Sequence, residues 1–280
     1  VTSSSDVLAA IRERRSVRSY SSQAVEPGSL ERLLQLGRTA PHLTPVPPRI
    51  ALVSGVDATR YVLTHIVGSY GLVRNAPHLL VAAMPEETPR AQVDTGYVLQ
   101  QVVLDATILG LGSCWVTGTY DAEHAGRAAG LEAGEVAGAV CSLGYPARGG
   151  FDRLHDTAVR RLARGHRRKD LEEIVFSRRW GRKWSAAESD PRLVEVLECA
   201  RLAPSAANRQ PWRFIVAGER LSLVLTSPSY FDAGIAMAHV TLSSRAVGCP
   251  GEWTLCLGDQ AWAGEMGMPQ DALAVAVYSW

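Results

Sequence analysis

The chain is expected to fold as an α+β protein made of two similar halves. Segments with helical apolar spacing alternate with short β-branched runs, and the same order of segments recurs in the second half. A hydrophobic fraction of 46% over 280 residues is enough to bury a sizeable core.

Residues 6–15 have the spacing of a first helix, with Ser5 or Asp6 as its cap. It leads into Arg14-Arg15-Ser16-Val17-Arg18. Arginines beside a serine at a helix end suit an anion, because guanidinium groups give planar, charge-assisted bonds to phosphate oxygens. The same pattern also describes a solvated basic turn. Residues 30–36 continue as an amphipathic helix that stops near Ala40-Pro41. The turn His42-Leu43-Thr44-Pro45-Val46-Pro47-Pro48 precedes a strand over 50–53, and Ala76-Pro77 precedes another over 79–83.

Residues 94–109 read as a buried helix ending at Gly110-Leu111-Gly112, where glycine can take a left-handed cap. A short strand, Ser113 to Val116, opens into Thr117-Gly118-Thr119, and residues 136–144 form a further strand. The basic cluster over 160–169 and an acidic segment after it read either as a linker between halves or as part of a site.

A helix over 193–200 is ended by Pro204, which lacks an N–H and disfavours helix in the residue before it. Small polar residues follow: Ser205, Ala206, Ala207 and Asn208. Residues 212–216 then read as a strand. Small residues would let a flat ligand approach the backbone, with Ser205 and Asn208 as hydrogen-bonding groups at its edge. An ordinary helix–turn–strand corner would look the same.

The repeat is visible as echoes in shared order. Ala203-Pro204, Pro211 and residues 214–216 echo Ala40-Pro41, Pro47 and residues 50–53. Asp232-Ala233-Gly234, opening an apolar helix, echoes Asp94-Thr95-Gly96. Gly248 and Trp253 echo Gly112 and Trp115 with extra residues between, and residues 272–277 echo 136–142.

The stretch Ala203-Pro204-Ser205-Ala206-Ala207-Asn208-Arg209-Gln210-Pro211-Trp212-Arg213-Phe214 resembles a signature of the nitroreductase family. So do Arg14-Arg15-Ser16-Val17-Arg18 near the start and Gly110-Leu111-Gly112-Ser113-Cys114-Trp115 after the long helix. The resemblance spans most of the chain and is weakest over 55–70 and 255–268. It implies a nitroreductase-like fold of two fused halves, 1–176 and 177–280, each with a mainly antiparallel sheet flanked by helices, together forming a pseudo-dimer.

It also implies FMN as cofactor. By the same resemblance Arg14, Ser16 and Arg18, with Arg15, hold the phosphate and ribityl chain, and Arg168 reaches the phosphate. Pro204, Ser205 and Asn208 flank the ring, and Thr117 and Gly118 meet its edge through backbone atoms, one N–H near N5. His166 stands where the family has Lys and Asp170 where it has Pro, which weakens His166 as a ligand.

The first half has lost the Ser-x-x-Asn turn, since His42-Leu43-Thr44-Pro45 replaces it. The nearest second-half counterpart of the arginine motif, Arg178-Arg179-Trp180-Gly181-Arg182, has Trp in place of Ser. The surviving motifs are complementary, so one complete and one decayed site are expected.

A formal net charge of +1 gives no global pull toward nucleic acid or an anionic membrane, and 97–116 is interrupted by Gln100, Gln101 and Asp105. The five cysteines show no metal-ligand spacing and read as reduced thiols of a cytoplasmic protein without a secretory signal. No Gly-x-Ser-x-Gly elbow, HExxH or CxxC occurs, and His65, His78 and His239 read as core or cap histidines. Lack of a nucleophile–base set fits an enzyme whose cofactor performs the redox step.

The function implied is an FMN-dependent oxidoreductase passing electrons from NAD(P)H to a nitroaromatic, quinone or similar flat acceptor, or dehydrogenating a natural-product intermediate. The alternative is a flavin-binding or flavin-less protein acting by binding alone. Fusion of the halves makes a monomer the expected state, and Tyr70, Tyr230 and Phe231 could stack on a substrate or simply pack.

Overall fold

The computed structural model describes residues 3–63, 73–118, 120–149, 157 and 167–280. His65, Tyr70, Thr119 and His166 lie outside them.

Helix α1 (Ser4–Glu13) starts and ends two residues before the sequence spacing suggests. Its cap is Ser3, whose hydroxyl accepts the Asp6 N–H while the Asp6 carboxylate accepts that of Ser3, each at 3.2 Å. The early end leaves the arginine stretch outside the helix. Helix α2 (Pro27–Thr39) begins with proline, whose missing N–H would have had no partner there.

The first sheet contains β1 (Arg49–Ser54), β2 (His78–Met84), β3 (Gly112–Val116) and β4 (Val136–Gly144). Its order is β1-β2-β4-β3, antiparallel throughout. Helices α3 (Val56–Leu63), α4 (Pro89–Ile108) and α5 (Ala122–Ala129) join these strands. α4 starts five residues before the expected Asp94, where Thr88 caps it and Pro89 takes its first position. After α6 (Leu171–Ile174) come β5 (Val175–Ser177), α7 (Pro191–Arg201), β6 (Trp212–Ala217), β7 (Arg220–Leu225), α8 (Tyr230–Ala246), β8 (Glu252–Leu255), α9 (Gln260–Glu265) and β9 (Leu273–Ser279).

The second sheet runs β5-β6-β7-β9-β8. Apart from β5, which lies parallel to β6, it repeats the antiparallel order of the first. Even the irregularity repeats: β4 bulges against β2 at Gly138, and β9 bulges against β7 at Val275. This register makes Trp115, opposite Cys141, the counterpart of Trp253, opposite Tyr278. It also corrects the repeat. Gly248 corresponds to Gly110 rather than Gly112, because both follow the end of a long helix with φ of 77° and 75° and sit equally far ahead of their tryptophans. No extra residues separate the motifs. Strand β5 spans the expected 176/177 boundary and pairs within the second sheet.

Helices α4 and α8 pack against each other and are buried on nearly every side. This explains why neither shows a clear polar face. Most large core side chains, including Trp212, Phe214, Leu99, Met237 and Tyr278, belong to one cluster spanning both halves.

Candidate functional site

Beyond α1 the chain runs extended along the edge of β3. Ser16 pairs with Ser113, and Val17 N–H donates to Ser113 O at 2.9 Å. A Cβ on Gly112 would lie 2.8 Å from the Val17 side chain, so glycine lets the segment close on the strand. Alternation along an extended chain gives Arg14, Ser16 and Arg18 one face and Arg15 the other. Arg14 is part-exposed as a residue, yet its Nε is buried and has no hydrogen-bond partner among the described residues. Burial pushes its guanidinium down to about 10, and the charge of Arg18 acts in the same direction. It remains charged at neutral pH, next to a second cation.

The opposing wall is the corner after α7. Ala207, Asn208 and Gln210 take positive φ values of 48°, 55° and 51°, a strained run for residues with side chains. Several bonds hold it. Arg168 donates to Leu202 O at 3.1 Å, Ala203 O at 3.0 Å and Asn208 Oδ1 at 2.8 Å. Asn208 Nδ2 returns a bond to Arg167 O at 2.7 Å. Ser205 Oγ accepts the Gln210 N–H at 2.9 Å, which leaves its own hydroxyl proton to donate. From α8, Asp232 accepts the Ala206 N–H at 3.1 Å, and burial raises its carboxyl to about 6. Arg168 is pushed down to about 10 by burial, then by Arg14 and Arg201.

The two walls meet. A cavity of about 450 Å³ is lined by Ser16, Arg18, Thr117 and Trp115 from the first half and by Pro204, Ser205, Ala206, Arg209, Asp232 and Ile235 from the second. That volume lies within the usual range of small-molecule sites. Gly118 follows Thr117 with φ +72°, and a Cβ there would meet nothing within 4 Å. Arg168 and Asn208 brace the corner from behind through their mutual bond. Arg15 does not join them; it lines a separate cavity with Ser21, Tyr145 and Arg148.

A buried chain of hydrogen bonds ties the walls together. Trp115 Nε1 donates to Gln100 Oε1 at 2.8 Å, Gln100 Nε2 donates to His239 Nε2 at 2.9 Å, and His239 Nδ1 donates to Cys199 O at 2.8 Å near the end of α7. This network assigns the proton to Nδ1. His239 is fully buried and is pushed down to about 3, chiefly by desolvation, so it stays neutral. Its apolar surroundings in the sequence mark it as a core or cap histidine, and Gln100 reads only as a break in an apolar run. Their contact, like the places of Asp232, Arg209 and Cys114 in the cavity wall, carries no local sequence signal beyond the Asp94/Asp232 echo.

At the positions related by the repeat, the described side chains are engaged with one another. Asp94 accepts from Leu43 N at 2.7 Å and from the Thr44 hydroxyl at 2.5 Å, so Thr44 is tied down. Tyr97 stands where Ile235 lines the open cavity, and its hydroxyl bonds Thr241 Oγ1 at 3.1 Å, as does Trp253 Nε1 at 3.0 Å. Trp180 packs on Phe176, and its backbone N–H donates to Met266 O at 2.9 Å.

Residues 6–244 match a family model described as "Putative TM nitroreductase". The fold is similar to that of a putative nitroreductase from Thermotoga maritima, with a TM-score of 0.61 and 18% identity over 98% of this chain and 93% of that one. An FMN-dependent nitroreductase from Clostridium difficile aligns over 50% of this chain and 87% of its own, with 21% identity and a TM-score of 0.44. A stretch of 59 residues, 21% of this chain, is 39% identical to a "Putative NADH dehydrogenase/NAD(P)H nitroreductase" of Archaeoglobus fulgidus, and the match spans about a third (34%) of that relative's length. With a family model covering 6–244 of its 280 residues, the chain belongs to the family described as putative TM nitroreductase.

Proposed function

We propose that this chain is an FMN-dependent oxidoreductase that takes electrons from NAD(P)H and delivers them to a flat acceptor such as a nitroaromatic or quinone. One observation carries this reading: Ser16 and Arg18 of the first half and the second-half corner line one cavity, and the Nε of Arg14, which feels the charge of Arg18 and lies outside that lining, is buried without a partner among the described residues. A buried cationic N–H without an acceptor is costly, and a phosphate group is the chemistry that offsets it. The donor set fits a flavin mononucleotide on that ground.

Arg14 and Arg18 hold the phosphate, and Ser16 adds a hydroxyl. Pro204, Ser205 and Ala206 form one wall against the ring, while Thr117 and Gly118 offer backbone N–H groups at its edge. Val116, Ile235 and Trp115 exclude water from that space. Arg168 and Asn208 keep the corner in its strained shape and add a positive charge behind it. Bound FMN supplies the two-electron carrier that the side chains lack. Both walls belong to one chain, so the protein works as a monomer, and light scattering should give the chain mass of 30.2 kDa.

The test is spectroscopic. Protein as isolated, or after mixing with FMN, should show a flavin spectrum that NAD(P)H bleaches and a quinone restores. Colour without bleaching would identify a flavin carrier, and protein that takes up no FMN would overturn the redox reading.

A further inference from the structure

The side chain of Arg209 makes no bond that holds the fold among the described residues. Among the described residues of its corner, Arg168 is bonded to Leu202, Ala203 and Asn208, Arg201 to Glu198, and Arg213 to Gln210 O and Trp212 O. The Arg209 guanidinium makes no hydrogen bond or ion pair there, although its backbone N–H closes the turn on Ala206 O at 3.1 Å. Its side chain is exposed, yet the residue lines the same cavity as Ser205, Ala207 and Asp232. Asp232 feels its positive charge across that space. The corresponding turn of the first half, Thr44-Pro45-Val46-Pro47, carries no cation, and its Val46 is 61% exposed. Of these two corners, among the described residues, the one that borders the open cavity is the one that carries a free cation.

We infer that Arg209 docks a phosphate of the incoming nicotinamide dinucleotide at the rim of the cavity. This inference rests on the oxidoreductase reading of the site. Arg14 is buried at Nε and suits a phosphate that stays, whereas an exposed guanidinium suits one that arrives and leaves with each turnover. A nicotinamide ring can stack inside the cavity, but the phosphates that follow it must lie at its mouth. The contact is electrostatic and solvent-exposed, so it weakens as salt rises.

The experiment compares wild type, Arg209→Ala and Arg209→Lys. Steady-state rates are read with NADH, NADPH and N-benzyl-1,4-dihydronicotinamide, a hydride donor without phosphates. Calorimetry reads NADP⁺ binding to the resting protein, and fluorescence reads FMN and riboflavin affinity. In Arg209→Ala, KM for both dinucleotides and Kd for NADP⁺ should rise about tenfold, with partial recovery in Arg209→Lys. Values for the phosphate-free donor and flavin affinity should not move. Unchanged NADP⁺ affinity would overturn the inference, as would an equal loss with the phosphate-free donor. Weaker binding of FMN but not riboflavin would also overturn it, by assigning Arg209 to the flavin's own phosphate. If the protein takes up no FMN, the redox reading fails separately. Calorimetry still decides: weaker NADP⁺ binding in Arg209→Ala supports docking, and equal or absent binding overturns it.

Discussion

Gly96 and Gly234 occupy equivalent turns of α4 and α8, and each is pressed against the backbone of the other helix. A Cβ on Gly96 would lie 2.2 Å from Phe231 O, and one on Gly234 would lie 1.9 Å from Val93 O. Residues 231 and 93 stand at the same offset from the two glycines, so the repeat axis passes between them. This closeness sets how the halves meet, and hence how the arginine stretch faces the corner.

Gly234→Ala should therefore be severe. The atoms it meets are backbone, which cannot rotate aside, so the penalty should exceed roughly 3 kcal/mol. Thermal melting should fall by more than about 6 °C for a chain of this size. Gly118→Ala is the contrast: it meets open space and carries only the strain of φ +72°, about 1 kcal/mol.

Arg14→Met removes a buried cation while keeping much of the side-chain length. Flavin-free protein should keep its stability or gain on the order of 1 kcal/mol, because the unpaired Nε disappears. FMN affinity should fall at least tenfold in fluorescence titration. Loss of flavin-free stability with FMN affinity intact would point to a purely structural arginine.

Asp232 braces the corner and titrates in an accessible range. Its carboxyl rises from an ordinary 3.8 to about 6 in the fold, so the folded state binds more protons than the unfolded state between those values. Its contribution is therefore fully present below pH 3.8 and is lost as pH rises to 6, by on the order of 3 kcal/mol. Asp232→Asn keeps an acceptor for the Ala206 N–H and should flatten this part of the denaturation-versus-pH curve. Asp232→Ala leaves that N–H unpaired and should cost about 1–3 kcal/mol at acid pH, together with FMN affinity.

His239 acts with the opposite sign. Its pKa falls from 6.5 to about 3 in the fold, so the unfolded state binds more protons between those values. Stability is fully present above pH 6.5 and declines as pH drops toward 3. Urea unfolding of His239→Gln should show a smaller decline over this window than wild type.

Much of the fold could be read locally. Apolar spacing marks α7, a continuous apolar run marks α8, β-branched runs mark β1, β2, β4 and β6, and the Asp-x-Gly echo marks the turns where α4 and α8 meet. The arginine stretch and the Pro204–Asn208 corner are also visible as motifs, because they depend on residue types at fixed spacing. What is not visible depends on pairings between distant residues. Gln100 meets His239 across 139 positions, and Asp232 reaches Ala206 across 26. Arg168 reads as a phosphate ligand, yet its bonds go to Leu202, Ala203 and Asn208, since the carbonyls after α7 need donors. Arg15 sits beside Arg14 in sequence but faces away, because an extended chain alternates its sides.

Flavin stoichiometry tests the central claim most directly. Absorbance of purified, FMN-saturated protein, with the released flavin identified by chromatography, should give one FMN per chain for wild type. It should also show loss on substitution of either Arg14 or Ser205. Two FMN per chain, or no uptake of FMN at saturating concentration, would contradict a single site shared between the halves.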